Sequence, residues 1–324
     1  MHRRSLLAAA AALALPTAAA LAQGGWPNRP VRLIVPAPAG SSLDIIARLL
    51  GDKLKDRWGQ SVVVENKPGA GGLLGMDAAA KAPPDGHVLA LGFNGPIAFA
   101  PFMYSKLPFD PAHDLAPVAM TTSQPNVLAV HAALPVRTVR EFVGWARERG
   151  GRMSYASLGK GSSSHLTMEL FMAEAGIQGT HIPFNGSPPS AMSVAQGETD
   201  ATMMVAPALL PHVRSGRVRL LAVTSRQRLD SLRDVPTLAE SGYPDIEALA
   251  WNGFFTAAAT PQALVERINA DVNAVLQDAG VRAALEQQGL TPVGGSAAAF
   301  RELVANDTRR WGAIIRKIGL KLES

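Results

Sequence analysis

The side chains of this sequence that could do chemistry are concentrated in four short loops rich in glycine, serine and asparagine. The loops span residues 36–44, 66–75, 157–165 and 184–189. They offer hydroxyls, amides and backbone N–H groups but almost no charge. Oriented N–H groups hold a carboxylate without burying an unpaired counter-charge, which would be unfavourable. Any single loop could be an ordinary turn, but the four together predict a clamp for a small anion in a cleft between two lobes.

The loop 157–165 also permits a different chemistry, because several hydroxyls lie close to an imidazole. Ser162 or Ser163 could act as a nucleophile with His165 as its base, so a secreted serine hydrolase is the alternative function. The Gly-x-Ser-x-Gly elbow of many such hydrolases is absent. The glycine-rich loop 66–75 lacks the lysine of a phosphate loop and the spacing of a dinucleotide fingerprint.

Metal and redox chemistry have no support in the sequence. The chain contains no cysteine, and its 7 histidines lack the spacing of metal ligands. We therefore expect no cofactor and no metal site, and we favour a binding protein over an enzyme.

Four other polar residues are candidates for the cleft. Asp44 lies in the first turn of a predicted helix, where it could cap that helix or contact the ligand. Asp200 stands at a strand start and could face the cleft or cap a turn. His165 is expected at a helix start in or near the cleft, and Asn94 ends a predicted strand.

The elements that must position these loops alternate between strand and helix. Val31–Val35 predicts a strand covered on both faces, and each glycine- or serine-rich loop follows the carboxyl end of a strand. In open α/β sheets that edge is where ligands bind. We expect one lobe from 26–126 and a second from 127–246, with 247–324 packing back on the first lobe.

The first residues indicate export. Arg3 and Arg4 precede a short apolar run, and the small residues Ala20 and Ala22 predict a signal peptide, residues 1–22, cleaved after Ala22. Both the Sec and the twin-arginine route are open, and the periplasm is the expected location. The formal charge of +5 is dispersed, so nucleic acid is not an expected partner.

An ordered set of motifs runs through nearly all of the chain beyond the predicted signal peptide. Its members are Val35–Gly40 with Asp44, Val64–Gly72, Gly86-His87, Tyr155–Ser157 with Gly159–His165, Gly197–Asp200, Leu221–Thr224, Val235–Gly242 and Trp251–Gly253. Together they resemble the substrate-binding proteins of tripartite tricarboxylate transporters, the Bug family.

The resemblance implies an α/β, type II periplasmic-binding-protein fold: two lobes with mixed sheets flanked by helices and a central ligand cleft. It implies a monomeric receptor that binds a small carboxylated solute and delivers it to an inner-membrane permease, or one that serves as a sensor input without transport. The carboxylate end would meet Ala39, Gly40, Ser41, Ala70 and Gly71. The selective end would meet Ser157, Gly161, Ser162, Ser163, Asn185 and Ser187.

The sequence departs from the family pattern at three places. Ala37 stands where an aromatic residue often follows the first loop proline, so one flat wall of the pocket should be missing. Ser41 replaces the second of a frequent glycine pair. Met204 stands where a second acid often follows Asp200, so a ligand amine would lack a counter-charge there. We therefore expect a carboxylate with an uncharged remainder, and not an amino acid.

Overall fold

The computed structural model describes residues 25–322, so the predicted signal peptide lies outside the described residues. The described chain folds as eleven strands and ten α-helices arranged around two sheets. Within residues 25–322, no helix combines the length and the apolar character needed to cross a bilayer.

The strands in chain order are β1 (Val31–Val35), β2 (Val62–Asn66), β3 (Val88–Phe93), β4 (Leu115–Pro125), β5 (Val127–His131), β6 (Met153–Ser157), β7 (Gly179–Pro183), β8 (Ala201–Met204), β9 (Val218–Val223), β10 (Leu249–Ala257) and β11 (Thr291–Pro292). One sheet has the order β11-β4-β10-β3-β1-β2, and the other has the order β7-β6-β8-β5-β9. Both sheets are mixed: β1 pairs parallel with β2 and β3, whereas β10 pairs antiparallel with β3 and β4.

The helices are α1 (Ser42–Trp58), α2 (Leu73–Ala80), α3 (Ala100–Met103), α4 (Val139–Glu148), α5 (Ser163–Ala175), α6 (Ser187–Gln196), α7 (Leu210–Arg214), α8 (Gln262–Leu276), α9 (Ala279–Gln287) and α10 (Ala297–Ile318). We call the six-stranded sheet with α1–α3 and α8–α10 lobe 1, and the five-stranded sheet with α4–α7 lobe 2. The final helices pack on lobe 1, because α8 contacts α1 and β4 while α10 contacts β4.

Strand β1 and helix α1 show how the sequence builds the edge that carries the first loop. Leu33 and Val35 pack on the α1 side of the sheet, and Ile34 packs on the opposite side among residues of α2. Helix α1 begins where the Ser41 hydroxyl accepts the N–H of Asp44, and it ends at Gly59 in the left-handed conformation. Helix α1 is therefore capped at both ends, and its N-terminal cap lies in the first loop.

The chain passes between the sheets where β4 ends and β5 begins, and it returns before β10. The sequence pattern did not indicate β4, because Leu115–Pro125 mixes prolines, small residues and hydroxyls without a regular alternation. We propose that the lobes divide near residues 126 and 247, which would leave lobe 1 discontinuous in sequence.

Candidate ligand-binding site

A cavity of about 80 Å³ lies between the two lobes, at the carboxyl ends of β1, β2, β3, β6 and β7. Since one buried water needs about 10–15 Å³ on this measure, the cavity has room for several waters or one small solute. The lobes touch across it: a methyl group added at Gly186 would lie 2.6 Å from Pro38, and one added at Gly71 would lie 2.9 Å from the Lys160 carbonyl oxygen. The structure is therefore a closed arrangement of the two lobes.

The residues predicted for the site fall into two groups. Those that line the cavity are Ala37, Ser41, Gly71, Asn94, Ser162, Ser163, Asn185 and Ser187. Those outside its lining are Ala39, Gly40, Asp44, Ala70, Ser157, Gly161, His165, Asp200 and Met204. Ligand contact by the first group stays a prediction. In the second group, Ala39, Gly40 and Ala70 are exposed loop residues.

Helix N-termini from both lobes face the cavity: that of α1 from lobe 1, and those of α5 and α6 from lobe 2. The Ser41 hydroxyl caps α1 by accepting the N–H of Asp44, and the Ser162 hydroxyl caps α5 by accepting the N–H of His165, both at 3.3 Å. The residues that open these helices line the cavity, and their N–H groups have no acceptor within the helix. The cavity therefore has N–H donors and the positive end of a helix dipole on both sides.

Asp44 ties the first two loops together instead of facing the ligand. Its carboxylate accepts the Gly40 N–H at 2.9 Å, the Asn66 amide at 3.0 Å and the Arg48 guanidinium at 3.0 Å. The same Asn66 amide donates to the Ala37 carbonyl at 3.0 Å. Burial alone would raise the pKa of the Asp44 carboxyl, but the hydrogen bonds from Arg48, Gly40 and Asn66 outweigh it and hold that pKa below its usual range.

Replacing this carboxylate should loosen the first loop. We expect Asp44→Asn to lower the free energy of unfolding by about 1–3 kcal/mol, because three donors lose the buried, charged acceptor that they share. Asp52→Asn, on the exposed side of the same helix, should change it by less than about 0.5 kcal/mol. The lowered pKa means that the Asp44 contribution is complete above about pH 4 and is lost as the pH falls further. Urea denaturation at pH 7 and pH 3 measures both effects, and an equal loss at both pH values would contradict this role.

The serine and histidine residues of the third loop are not arranged for nucleophilic catalysis. The Ser162 hydroxyl donates to the Gly159 carbonyl at 2.7 Å, and the Ser163 hydroxyl accepts the Asn126 amide at 2.8 Å. The His165 Nδ1 accepts the Gly161 N–H at 3.1 Å, so this nitrogen is engaged by the backbone. His165 therefore supports the loop instead of activating a serine.

Behind the third loop lies a stack of three rings, of which Tyr155 and His165 are buried and His181 is partly exposed. The His165 and His181 rings lie 3.8 Å apart between centroids and nearly parallel, and the Tyr155 ring stacks 5.0 Å from His181. The Tyr155 hydroxyl donates to Glu169, and the His181 Nε2 lies 2.6 Å from the Ser157 hydroxyl. Burial, with a smaller contribution from His181 and Lys160, lowers the pKa of His165 to about 3, and burial with Lys160 lowers that of His181 to about 4.

This stack should make the protein less stable in mild acid. Both pKa values lie below the value near 6.5 of unfolded histidine, so the stabilisation is complete above pH 6.5 and declines as the pH falls toward 4. We expect a slope of up to about 1.4 kcal/mol per pH unit from His165 and less from the partly exposed His181.

Urea denaturation at pH 5, 6 and 7 checks this slope. His165→Asn keeps an acceptor for the Gly161 N–H but cannot titrate, so it should flatten the slope. His113→Asn removes an exposed histidine and should not flatten it. A stability that does not change over this pH range would contradict the expectation.

Two predicted site residues of lobe 2, Asp200 and Met204, lie outside the lining of the cavity. Asp200 accepts the Ser154 N–H at 2.8 Å and its hydroxyl at 3.1 Å, which ties β8 to β6. Met204 is fully buried in the lobe 2 core beside Ser190, and Val205 is the next residue that lines the cavity. The argument from a missing acid at Met204 was conditional on this residue lining the cleft, and it does not line this cavity.

Sequence reasoning missed the residues that bring amides and aromatic rings to the cavity. Gln124, Asn126 and Asn252 lie at the crossing strands and form its floor, and Phe93 and Phe184 supply one ring from each lobe. Ala37 supplies no aromatic ring to the cavity, but Phe93 of the same lobe does. The available signal was a polar amide beside a predicted or apolar strand segment, in Gln124-Pro125-Asn126 at the end of β4 and in Trp251-Asn252-Gly253 within β10.

Comparison with known proteins places this geometry in a family. Residues 46–320 match the family described as the tripartite tricarboxylate transporter family receptor. Protein BugT of Bordetella pertussis is 35% identical over 307 residues, which cover 94% of this chain and 94% of BugT. The structure of R. palustris Rpa4515 with adipate has a TM-score of 0.89 at 33% identity and covers 93% of this chain and 100% of that chain. MatC from Rhodopseudomonas palustris with bound malate has a TM-score of 0.85 at 29% identity and covers 90% of this chain and 100% of that chain.

These matches confirm the predicted family and the predicted α/β fold of the periplasmic binding proteins. The family consists of solute-binding receptors, so the hydrolase alternative is wrong and the chain is not an enzyme. With a closed cavity, converging helix N-termini and a family match over most of its length, this chain belongs to the tripartite tricarboxylate transporter receptor family, the Bug family of solute-binding receptors.

Proposed function

We propose that this receptor encloses a small dicarboxylate between its lobes and delivers it to a tripartite tricarboxylate-type permease. The observation that carries the proposal is the convergence of helix N-termini from both lobes on one cavity. Ser42 opens α1 on one side, and Ser163 opens α5 on the other. Each terminus attracts an anion, so a solute with a carboxylate at both ends has each group held by a different lobe.

The electrostatics of the cavity favour an anion without an ammonium group. Among the described residues, no charged side chain lines the cavity. An enclosed ammonium group would therefore lack a counter-charge, which is strongly unfavourable. We expect amino acids to be disfavoured, as the sequence suggested. The reason is the uncharged lining of the whole cavity, and not the lack of an acid at Met204.

The walls of the cavity suit a hydrocarbon chain between the two carboxylates. Phe93, Leu158, Phe184 and Val205 present apolar surface from both lobes, as ligand pockets commonly do. Rpa4515 holds adipate and MatC holds malate, which are a longer and a shorter dicarboxylate. Their shared fold supports a dicarboxylate here, with the length open to measurement.

Transport requires that the permease recognises the closed receptor and that the receptor leaves the permease after it opens. Ligand contacts with both lobes shift the population toward the closed arrangement. The family description supports a permease as the partner. We propose that the receptor acts as a monomer in the periplasm after cleavage at Ala22.

Thermal denaturation with a panel of solutes tests the proposal. A ligand at one hundred times its dissociation constant stabilises the folded state by about 2.7 kcal/mol, which raises the melting temperature by several degrees. We expect this shift for one or more dicarboxylates and not for glutamate, aspartate or alkyl monocarboxylates. A panel in which no dicarboxylate shifts the melting temperature, or in which calorimetry shows tight binding of an amino acid, would contradict the proposal.

A further inference from the structure

The chain that follows α10 forms a short strap along the end of α3. We call residues 320–322 the strap. The Leu322 N–H donates to the Met103 carbonyl oxygen at 2.9 Å. The Lys321 ammonium group donates to the Phe102 carbonyl oxygen at 3.1 Å. The strap is therefore held to lobe 1 by hydrogen bonds to the backbone of α3.

Side chains of the strap and of α3 reach lobe 2 at Gly161. A methyl group added at Gly161 would lie 2.7 Å from Met103 Cε and 3.3 Å from Leu322 Cδ1. Leu322 also packs against an apolar cluster that contains Met103 of lobe 1 together with Leu166 of α5. The lobes therefore touch here through apolar side chains, in addition to the contacts between the loops around the cavity.

An ion pair joins the same two elements further along. Lys317 lies in the last turn of α10 and Glu174 lies near the end of α5, and their charged groups are 3.3 Å apart. Helices α10 and α5 are in contact, so this pair carries opposite charges on the two lobes. Both side chains are exposed to solvent, and such a pair shifts an equilibrium by up to about fivefold.

Gly161 moves with the loop that lines the cavity. Its N–H donates to His165 Nδ1 at 3.1 Å, and the next residue, Ser162, caps α5 and lines the cavity. A rotation that opens the cavity between lobe 1 and this loop carries Gly161 away with α5, whereas Leu322 stays with lobe 1. Dispersion attraction falls steeply with distance, so opening the cavity ends the contact between Gly161 and Leu322.

We infer that the end of α10 and the strap form a clasp between the lobes, which engages when the cleft closes and releases when it opens. Leu322 holds Gly161, and Lys317 holds Glu174. The clasp consists of protein groups alone, so it raises the closed population whichever solute the cavity holds. Contacts with the solute then have less of the closing equilibrium to supply.

The distance between the lobes measures the action of the clasp directly. The chain contains no cysteine, so one spin label can be placed on each lobe with Asp56→Cys in α1 and Glu198→Cys after α6, both at exposed positions. Double electron–electron resonance without added solute then gives the ratio of closed to open molecules.

The variant Leu322→Ala removes the apolar contact and keeps the backbone bond to Met103. We expect it to lower the ratio of closed to open molecules at least about threefold, because the closed form loses apolar burial against Gly161. Val293→Ala is the matched control, since it shortens an exposed apolar side chain of lobe 1. It should leave the ratio unchanged.

A charge exchange tests the ion pair. Lys317→Glu places a second carboxylate opposite Glu174 and should lower the ratio about two- to fivefold. Adding Glu174→Lys to this variant restores opposite charges and should return the ratio to within about twofold of the unmodified protein. Recovery of this kind indicates a direct contact and not a general loss of stability.

Calorimetry with succinate, malate and adipate links the clasp to binding. The apparent affinity scales with the population of the closed form, so Leu322→Ala should weaken binding by the factor that the distances give. The same distance distribution in Leu322→Ala and in the unmodified protein overturns the inference, and so does an unchanged affinity for a solute that binds. A charge exchange without recovery overturns the part of Lys317. Binding of none of the three solutes counts against the proposed function, while the distances still decide the clasp.

Discussion

Gly71→Ala is expected to weaken binding of the ligand by at least about fivefold, whereas Gly59→Ala should leave it unchanged. Gly71 has a φ of 63° and lies at the contact between the lobes, where an added Cβ would be 2.9 Å from the Lys160 carbonyl oxygen. Closure would have to displace that backbone group or remain incomplete. A rise of about 1–2 kcal/mol in the free energy of the closed form lowers the affinity about five- to thirtyfold.

Gly59 is a matched control for this substitution. It lies in the same lobe with a φ of 64°, and an added Cβ would meet nothing within 4 Å. Both alanine variants therefore incur the same penalty of about 1–2 kcal/mol for a left-handed residue. Only Gly71→Ala places a methyl group between the lobes.

A second pair repeats the comparison from lobe 2. Gly186 has a φ of 108° with Pro38 at 2.6 Å from an added Cβ, whereas Gly242 has a φ of 100° and nothing within 4 Å. Calorimetry gives the affinities, and small-angle scattering with and without ligand reports closure. Equal affinities within each pair would show that these contacts do not limit closure.

The sequence was informative where one local rule determines the structure. Helix α10 spans Ala297–Ile318 as its apolar spacing indicates. The cap of α1 is Ser41, and not Asp44 as the sequence allowed. Asp44 was correctly placed in the first turn of α1. Its partners could not be predicted, because Asn66 reaches it from another loop.

The parts of the site that the sequence did not reveal depend on contacts between distant segments. Asn94 follows β3 and Asn126 follows β4, and both line the cavity because β3, β10 and β4 are neighbours in one sheet. His165 and His181 stack because α5 and β7 both flank β6, and nothing in their spacing of sixteen residues indicates this. The loops could therefore be identified from composition, but the floor and the ring stack behind them required the topology.

Placing a carboxylate at the start of α5 should abolish binding if an anion of the ligand lies there. Ser164 is the second residue of α5, is 1% exposed and lines the cavity. Two like charges about 4 Å apart repel by roughly 4 kcal/mol at an effective dielectric constant near 20. We expect Ser164→Asp to weaken binding by at least about a hundredfold at pH 8, where the new carboxyl is ionised, and Ser164→Asn to weaken it by about tenfold or less.

The Asp and Asn variants have nearly the same volume, so their difference measures charge alone. An aspartate in the first turn is favoured by the helix dipole by about 0.3–1 kcal/mol, so Ser164→Asp should remain folded without ligand, as its melting curve will show. Equal binding by the two variants would mean that no carboxylate lies at α5.

The same pair of substitutions at Ser42, the first residue of α1, decides whether the ligand is anionic at both ends. Ser42 is 2% exposed and lines the cavity from lobe 1. If both Ser42→Asp and Ser164→Asp abolish binding while both asparagine variants retain it, each lobe holds one carboxylate. If only one aspartate variant does so, the ligand places a carboxylate at that helix alone, and the proposal that α1 and α5 hold one carboxylate each is wrong. Since closure requires contacts from both lobes, a ligand held by charge on one side only would have to close the cleft through hydrogen bonds and apolar contact on the other.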